Sequence, residues 1–160
     1  MRVPIGAIIV PMFAIVWVAA GTRSLGRRRF GFLCFGAILI SIGLIYAGTR
    51  IEPARTLTFN GKAYAIAVTL EAILILFAVV ILRVTNRKHL LLPIISIIVG
   101  LHFFSMVPAL GSNLYWWIGG AMSLLPVLTM SILPRKAWDP TVGVGSALIL
   151  WSAVVCAFSH

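Results

Sequence analysis

Six long apolar runs, separated by short polar or charged breaks, account for most of the chain. They extend from Val3 to Gly21, Phe30 to Gly48, Tyr64 to Leu82, Leu90 to Leu110, Leu114 to Leu133 and Val142 to Ser159, flanked by charge, proline, asparagine or glycine. A hydrocarbon core of about 30 Å takes roughly 20 residues of α-helix to cross, so each run has the length of one crossing. None alternates apolar with polar residues, as the strands of a membrane barrel do. The pattern predicts an all-α, polytopic integral membrane protein: one domain over residues 1–160, a bundle of six transmembrane helices arranged as three helical hairpins. The breaks are too short to hold a soluble domain.

Composition agrees. Apolar residues make up 61% and charged residues 10% of the 160, and mean hydropathy is +1.11. Soluble domains carry about 25% charged residues. So little charge cannot coat a compact body in water, which excludes a soluble enzyme, a disordered tail and a nucleic-acid module. The formal net charge of +10 comes from thirteen Lys and Arg against three Asp and Glu. These basic residues sit in short clusters between apolar runs, the arrangement of loops held against anionic headgroups, and no basic stripe marks a nucleic-acid groove.

The basic clusters also predict orientation. Arg23, Arg27, Arg28 and Arg29 follow the first run; Arg83, Arg87 and Lys88 follow the third; Arg135 and Lys136 follow the fifth. These nine of the thirteen belong in the cytoplasm by the positive-inside rule, leaving both termini outside, in a bacterial-type plasma (inner) membrane. The four arginines after Val3 to Gly21 oppose reading that run as a cleaved signal peptide. The segment from Thr49 to Ala63 is expected to be the longest outside loop, with a turn at Asn60-Gly61 and a loose pairing of Glu52 with Arg50 or Arg55. Cys34 and Cys156 lie at opposite depths, too far apart for a disulfide.

Ionisable groups at membrane depth are expensive and mark function by default. Two stand out, Glu71 in the third run and His102 in the fourth. Glu71 is seven residues from Tyr64 and His102 eight from Leu110, the outer ends of their runs. At about 1.5 Å per residue both lie roughly 10 to 12 Å below the outer boundary. A short loop joins the two runs, so they are expected to pack as an antiparallel pair in which Glu71 and His102 face each other. Thr69 and Ser105 are nearby alternative partners for either group. Pro11, Pro108 and Pro126 free the carbonyls of Ala7, Phe104 and Met122 and suggest a pocket.

Aromatic residues divide into an outer group (Tyr46, Tyr64, Tyr115, Trp116, Trp117) and an inner group (Trp17, Phe30, Trp138), as interfacial belts do. Tyr115 or Trp117 could instead line a site beside Glu71, where a cation finds a carboxylate and a π face. Trp151, midway along the sixth run, fits neither belt and is a pocket candidate. Small residues Gly36, Gly43 and Ala47, and Gly143 and Ala147, suit helix–helix approach.

Metal-ligand spacing, a nucleophile with a base, a CxxC and a phosphate loop are all missing, so no cofactor and no metal is expected. The leading expectation is a small transporter or membrane ligand-binding protein. Its polar site comprises Glu71 and His102, with Ser105, Thr69, Trp117, Tyr115 and Trp151 as further candidates. Besides the lipid bilayer, the expected partners are a small molecule or cation and a second copy or another membrane protein. The alternatives are a structural or accessory membrane subunit without a ligand and, last, an intramembrane acid–base enzyme acting on a lipid-like substrate.

Overall fold

Lipid offers backbone N–H and C=O groups no partner, so a chain this apolar must satisfy them within its own helices. The computed structural model, which describes residues 5–50 and 60–158, is built accordingly. It contains α1 (Ile5–Thr22), α2 (Arg27–Arg50), α3 (Gly61–Val84), α4 (Leu91–Leu110), α5 (Leu114–Ile132) and α6 (Trp138–Phe158). Single 3₁₀ turns at Lys88–Leu90 and Arg135–Ala137 lead into α4 and α6, and no strand occurs among the described residues. Five of the helices, α2 to α6, are long and apolar enough to cross a membrane, and α1 is apolar over the shorter stretch Ile8–Thr22. The protein is an all-α, membrane-embedded helical bundle.

Two of the helices, α2 and α3, outrun the apolar stretches that predict them. At each end α2 and α3 continue two or three residues past the apolar run, so that Arg27, Arg28 and Arg29 form the first turn of α2. Charged side chains end the apolar run without ending the backbone hydrogen bonding. What ends α3 is Asn86, in the left-handed region at φ 55°. The N–H of Arg87 returns to the Leu82 carbonyl and that of Asn86 to the Arg83 carbonyl, the paired bonds of a Schellman cap. Gly111, at φ 67°, ends α4 with its N–H on the Val107 carbonyl. Asn60 and Gly61, expected to form a turn, instead begin a helix. Asn60 is the N-cap of α3, its side-chain oxygen accepting from the Ala63 N–H at 3.2 Å, and Gly61 is the first helical residue. The anticipated pairing of Glu52 falls outside the described residues.

The chain divides into two compact units, Met1–Thr56 with Asp139–His160, and Leu57–Trp138. The first contains α1, α2 and nearly all of α6. Ser41 of α2 donates to the Pro11 carbonyl of α1 at 2.9 Å and accepts the indole N–H of Trp151 of α6 at 3.1 Å, tying three helices through one hydroxyl. Gly21 and Gly143 let α1 and α6 touch backbone to backbone: a Cβ on Gly143 would lie 2.6 Å from the Gly21 Cα and 2.6 Å from the Trp17 carbonyl oxygen. Trp17, assigned above to the inner aromatic belt, is buried here. Gly36 and Gly43 of α2 play no comparable part, since both face open space. The side of α2 that packs carries Ala37, Ser41 and Gly48, and Phe32, Phe35, Leu39 and Ile42 are exposed.

In the second unit α4 packs against both α3 and α5. The α4–α5 seam closes at glycine, where a Cβ on Gly119 would meet the Gly100 carbonyl at 2.8 Å and one on Gly100 would collide with the Ser123 hydroxyl. Pro126 has no N–H to give the Met122 carbonyl, and Ser96 of α4 fills that vacancy from across the seam at 3.1 Å. The carbonyl freed by Pro126 thus serves helix association rather than a pocket.

These packings predict contrasting glycine variants. Gly143→Ala should lower stability by about 1–3 kcal/mol, because its Cβ meets backbone that cannot move aside. Gly36→Ala and Gly43→Ala should stay within about 0.5 kcal/mol of the parent, as surface substitutions away from packed features do. Thermal unfolding of the purified protein in one detergent measures all three.

Candidate functional site

The α3–α4 seam is built from small and flexible side chains. Ala67 of α3 packs with Met106 and Ala109 of α4 in a buried cluster, with Ala63 and Tyr115 against it. Alanines at Ala63 and Ala67 let the two backbones approach, as small residues do at membrane helix interfaces. The register is pinned at the mouth of the seam by the Asn60 N–H, which donates to the Ala109 carbonyl at 2.9 Å. Two helical turns deeper, seven residues along each helix of the pair, that register sets Ala67 opposite His102.

His102 reaches across at this level. Its Nδ1 lies 3.3 Å from the Ala67 carbonyl oxygen and 3.5 Å from Oε2 of Glu71. A carbonyl can only accept, so the bond to Ala67 requires a proton on Nδ1 and leaves Nε2 of a neutral ring as the free acceptor. The same carbonyl is the helical acceptor for the Glu71 N–H, four residues on, which explains why one imidazole nitrogen meets both groups. The Glu71–His102 contact expected from matching depths is therefore present.

Its geometry is loose on the carboxylate side. A charge-assisted N–H···O bond runs to about 2.7–2.9 Å, so at 3.5 Å the carboxylate is beside the imidazole without a short bond to it. An ionised carboxylate can accept about four hydrogen bonds. Among the described residues His102 is the one ionic contact of Glu71. The side chain of Glu71 is 19% exposed and that of His102 9%, so the carboxylate is the open half of the pair. Glu71 is also the only acidic residue between Leu57 and Trp138, and no group of three or more metal-ligating side chains occurs among the described residues.

Aromatic rings lie along the same seam. Phe103 stacks on Tyr115 with ring centroids 6.1 Å apart and planes 8° from parallel, and the His102 ring meets Phe103 edge-on at 6.1 Å. Tyr115 packs against the cluster that holds Ala67 and reaches His102 only through Phe103. The other sequence candidates are placed differently. Thr69 is two residues from Glu71, about 200° round the helix. It is exposed, in a shallow apolar groove with Ala65, Ile66, Leu70 and Ile73. Ser105 turns its hydroxyl back to the His102 backbone carbonyl at 2.6 Å rather than to either ring or carboxylate. Trp117, 80% exposed, is two residues past Tyr115 and faces outward. Trp151 belongs to the other unit, where its N–H is spent on Ser41.

Sequence reasoning passes over Phe103 and the Ala67 carbonyl. Phe103 follows His102 directly, and its distance from Tyr115 depends on where the α4–α5 turn places the next helix. A backbone carbonyl carries no residue signature at all. No protein-family model, curated protein or solved structure matches the chain. The fold and this site therefore define it by class, a membrane-embedded helical bundle with one carboxylate–imidazole contact in the α3–α4 seam.

A double-mutant cycle measures that contact. Glu71→Ala and His102→Ala should each destabilise by about 1–3 kcal/mol, the range for stranding a buried polar group. The double variant should lose less than the sum by at least about 0.5 kcal/mol, the lower bound for residues in contact. Additive losses in thermal or denaturant unfolding would mean that the pair does not interact.

Proposed function

We propose that this chain is a small transporter or membrane ligand-binding protein whose ligand, a cation or protonated amine, engages Glu71 beside His102. The observation that carries the reading is the partly exposed carboxylate with unused acceptor capacity, 3.5 Å from the imidazole. A carboxylate kept at membrane depth without a matched salt bridge is stabilised by a cation or a proton, and His102 can supply or receive that proton beside it. The stacked rings of Tyr115 and Phe103 add aromatic surface on the same seam, which suits an alkylammonium.

The orientation that goes with this reading puts the nine clustered basic residues in the cytoplasm and both termini outside, in a bacterial-type plasma membrane. The site then lies in the outer half of the bilayer. Cysteines substituted for Arg28 and Lys88 should resist an impermeant maleimide applied to intact cells and react after permeabilisation. Labelling of either position from outside would reverse the orientation.

A second reading, a structural or accessory subunit, is favoured by the bond from His102 to the Ala67 carbonyl, which satisfies that nitrogen without a ligand. A thermal-shift screen separates the two. Purified protein is heated with sodium, potassium, magnesium, tetraalkylammonium ions and primary amines, and Glu71→Gln is run in parallel. A ligand at one hundred times its Kd adds about 2.7 kcal/mol, enough to raise the unfolding midpoint by several degrees. The ligand-binding reading expects at least one class to do so for the parent and not for Glu71→Gln. Equal, ligand-independent midpoints across the panel would favour the structural reading.

A further inference from the structure

At the end of the second unit where α3 gives way to α4 and α5 gives way to α6, two basic turns flank one fixed indole. Trp138 makes three contacts. Its N–H donates to the Leu133 carbonyl at 2.9 Å, the His89 ring lies 6.1 Å away at 40° to it, and the Arg135 guanidinium carbon stands 6.0 Å from the ring centroid. Arg87 and Lys88 are exposed on the first turn, Lys136 on the second, and His89 and Arg135 are exposed with them. The sole carboxylate within the unit, Glu71, is twelve residues up α3 from Arg83, or about 18 Å. Asp139 follows Trp138 directly and opens α6. At the opposite end of the unit the only basic residue is Lys62.

We propose that this end binds the phosphate of an anionic phospholipid headgroup, with Trp138 as the ledge on which the glycerol region rests. The occupant follows from position. These charges terminate helices that cross a membrane, so the phosphates they meet are those of the surrounding leaflet. An indole whose N–H is already bonded presents its ring to the interface, where tryptophan is favoured. Arg135 and His89 both lie about one ring-width from that indole, so a phosphate beside it meets a guanidinium and an imidazole. This differs from a diffuse attraction of basic loops to a charged leaflet, because it depends on which cations lie beside the indole.

The experiment compares two charge removals of equal size in the full-length protein. Arg135→Gln with Lys136→Gln alters the indole end, and Arg27→Gln with Arg28→Gln alters the basic turn that opens α2. Each protein is exchanged from detergent against phosphatidylcholine micelles containing a small fraction of phosphatidylglycerol, and retained lipid is counted by native mass spectrometry. Unchanged circular dichroism establishes that each variant is folded, and Trp138→Leu serves as a second, charge-neutral variant. The parent should retain phosphatidylglycerol over phosphatidylcholine. The Arg135/Lys136 variant and Trp138→Leu should lose at least about fivefold of that preference, and the Arg27/Arg28 variant less than about twofold. Equal losses from the two charge removals would overturn the proposal in favour of general electrostatics. Displacement of the retained lipid by millimolar inorganic phosphate would overturn it in favour of a simple anion site.

Discussion

A polar side chain in hydrocarbon has to find its partner inside the protein, and across three seams of this bundle the partner is a backbone carbonyl. Ser41 donates from α2 to the Pro11 carbonyl of α1, Ser96 from α4 to the Met122 carbonyl of α5, and His102 from α4 to the Ala67 carbonyl of α3. Apolar packing between helices is little better than packing against lipid, so such contacts, with close backbone approach at small residues, decide which faces pair. Polar groups without a seam to cross turn inward on their own helix. Thr22, Ser131 and Ser152 donate to carbonyls three or four residues back. The exception is the Ser123 hydroxyl, buried against Gly100 with no partner among the described residues.

The three side chains that donate to a carbonyl across a seam differ in chemistry, and that difference locates the candidate site. A serine bonded to a carbonyl is inert near neutral pH. An imidazole in the same role can take up or release a proton, and it is the one donor with a carboxylate in reach. The register that sets it there follows from ordinary features, the Asn60 cap on the Ala109 carbonyl and the alanines at Ala63 and Ala67. Shifting α3 by one residue would rotate Glu71 by about 100° away from His102.

Much of this was legible in the sequence, and the division has a physical cause. Length and continuity of the apolar runs mark the helices, because hydrocarbon thickness fixes how many residues each needs. Glu71 and His102 could be paired because depth is a sum of residues counted from a helix end, and two helices joined by a short turn share that scale. The carbonyl of Met122 could be named as orphaned because Pro126 removes its donor, although the role of Ser96 in filling it was not visible. Faces were harder to read. A soluble helix advertises its buried side by contrast with a polar one, but here lipid-facing and protein-facing positions are both apolar. Hence Gly36 and Gly43 looked like a contact stripe and face open space, and Trp17 looked interfacial and is buried. Thr69, Ser105 and Trp117 were near the site along the chain but are turned away from it by helix rotation.

The central claim is that one imidazole nitrogen bridges the α3–α4 seam to the Ala67 carbonyl with Glu71 beside it. Solid-state NMR of the protein in lipid bilayers tests it most directly, with ¹⁵N-labelled histidine and ¹³C-labelled glutamate and alanine. The account predicts a protonated Nδ1 on His102 that correlates through space with the Ala67 carbonyl carbon and the side-chain carboxyl carbon of Glu71. An Nδ1 lacking a proton, or one whose nearest labelled carbons exclude both residues of α3, would contradict it.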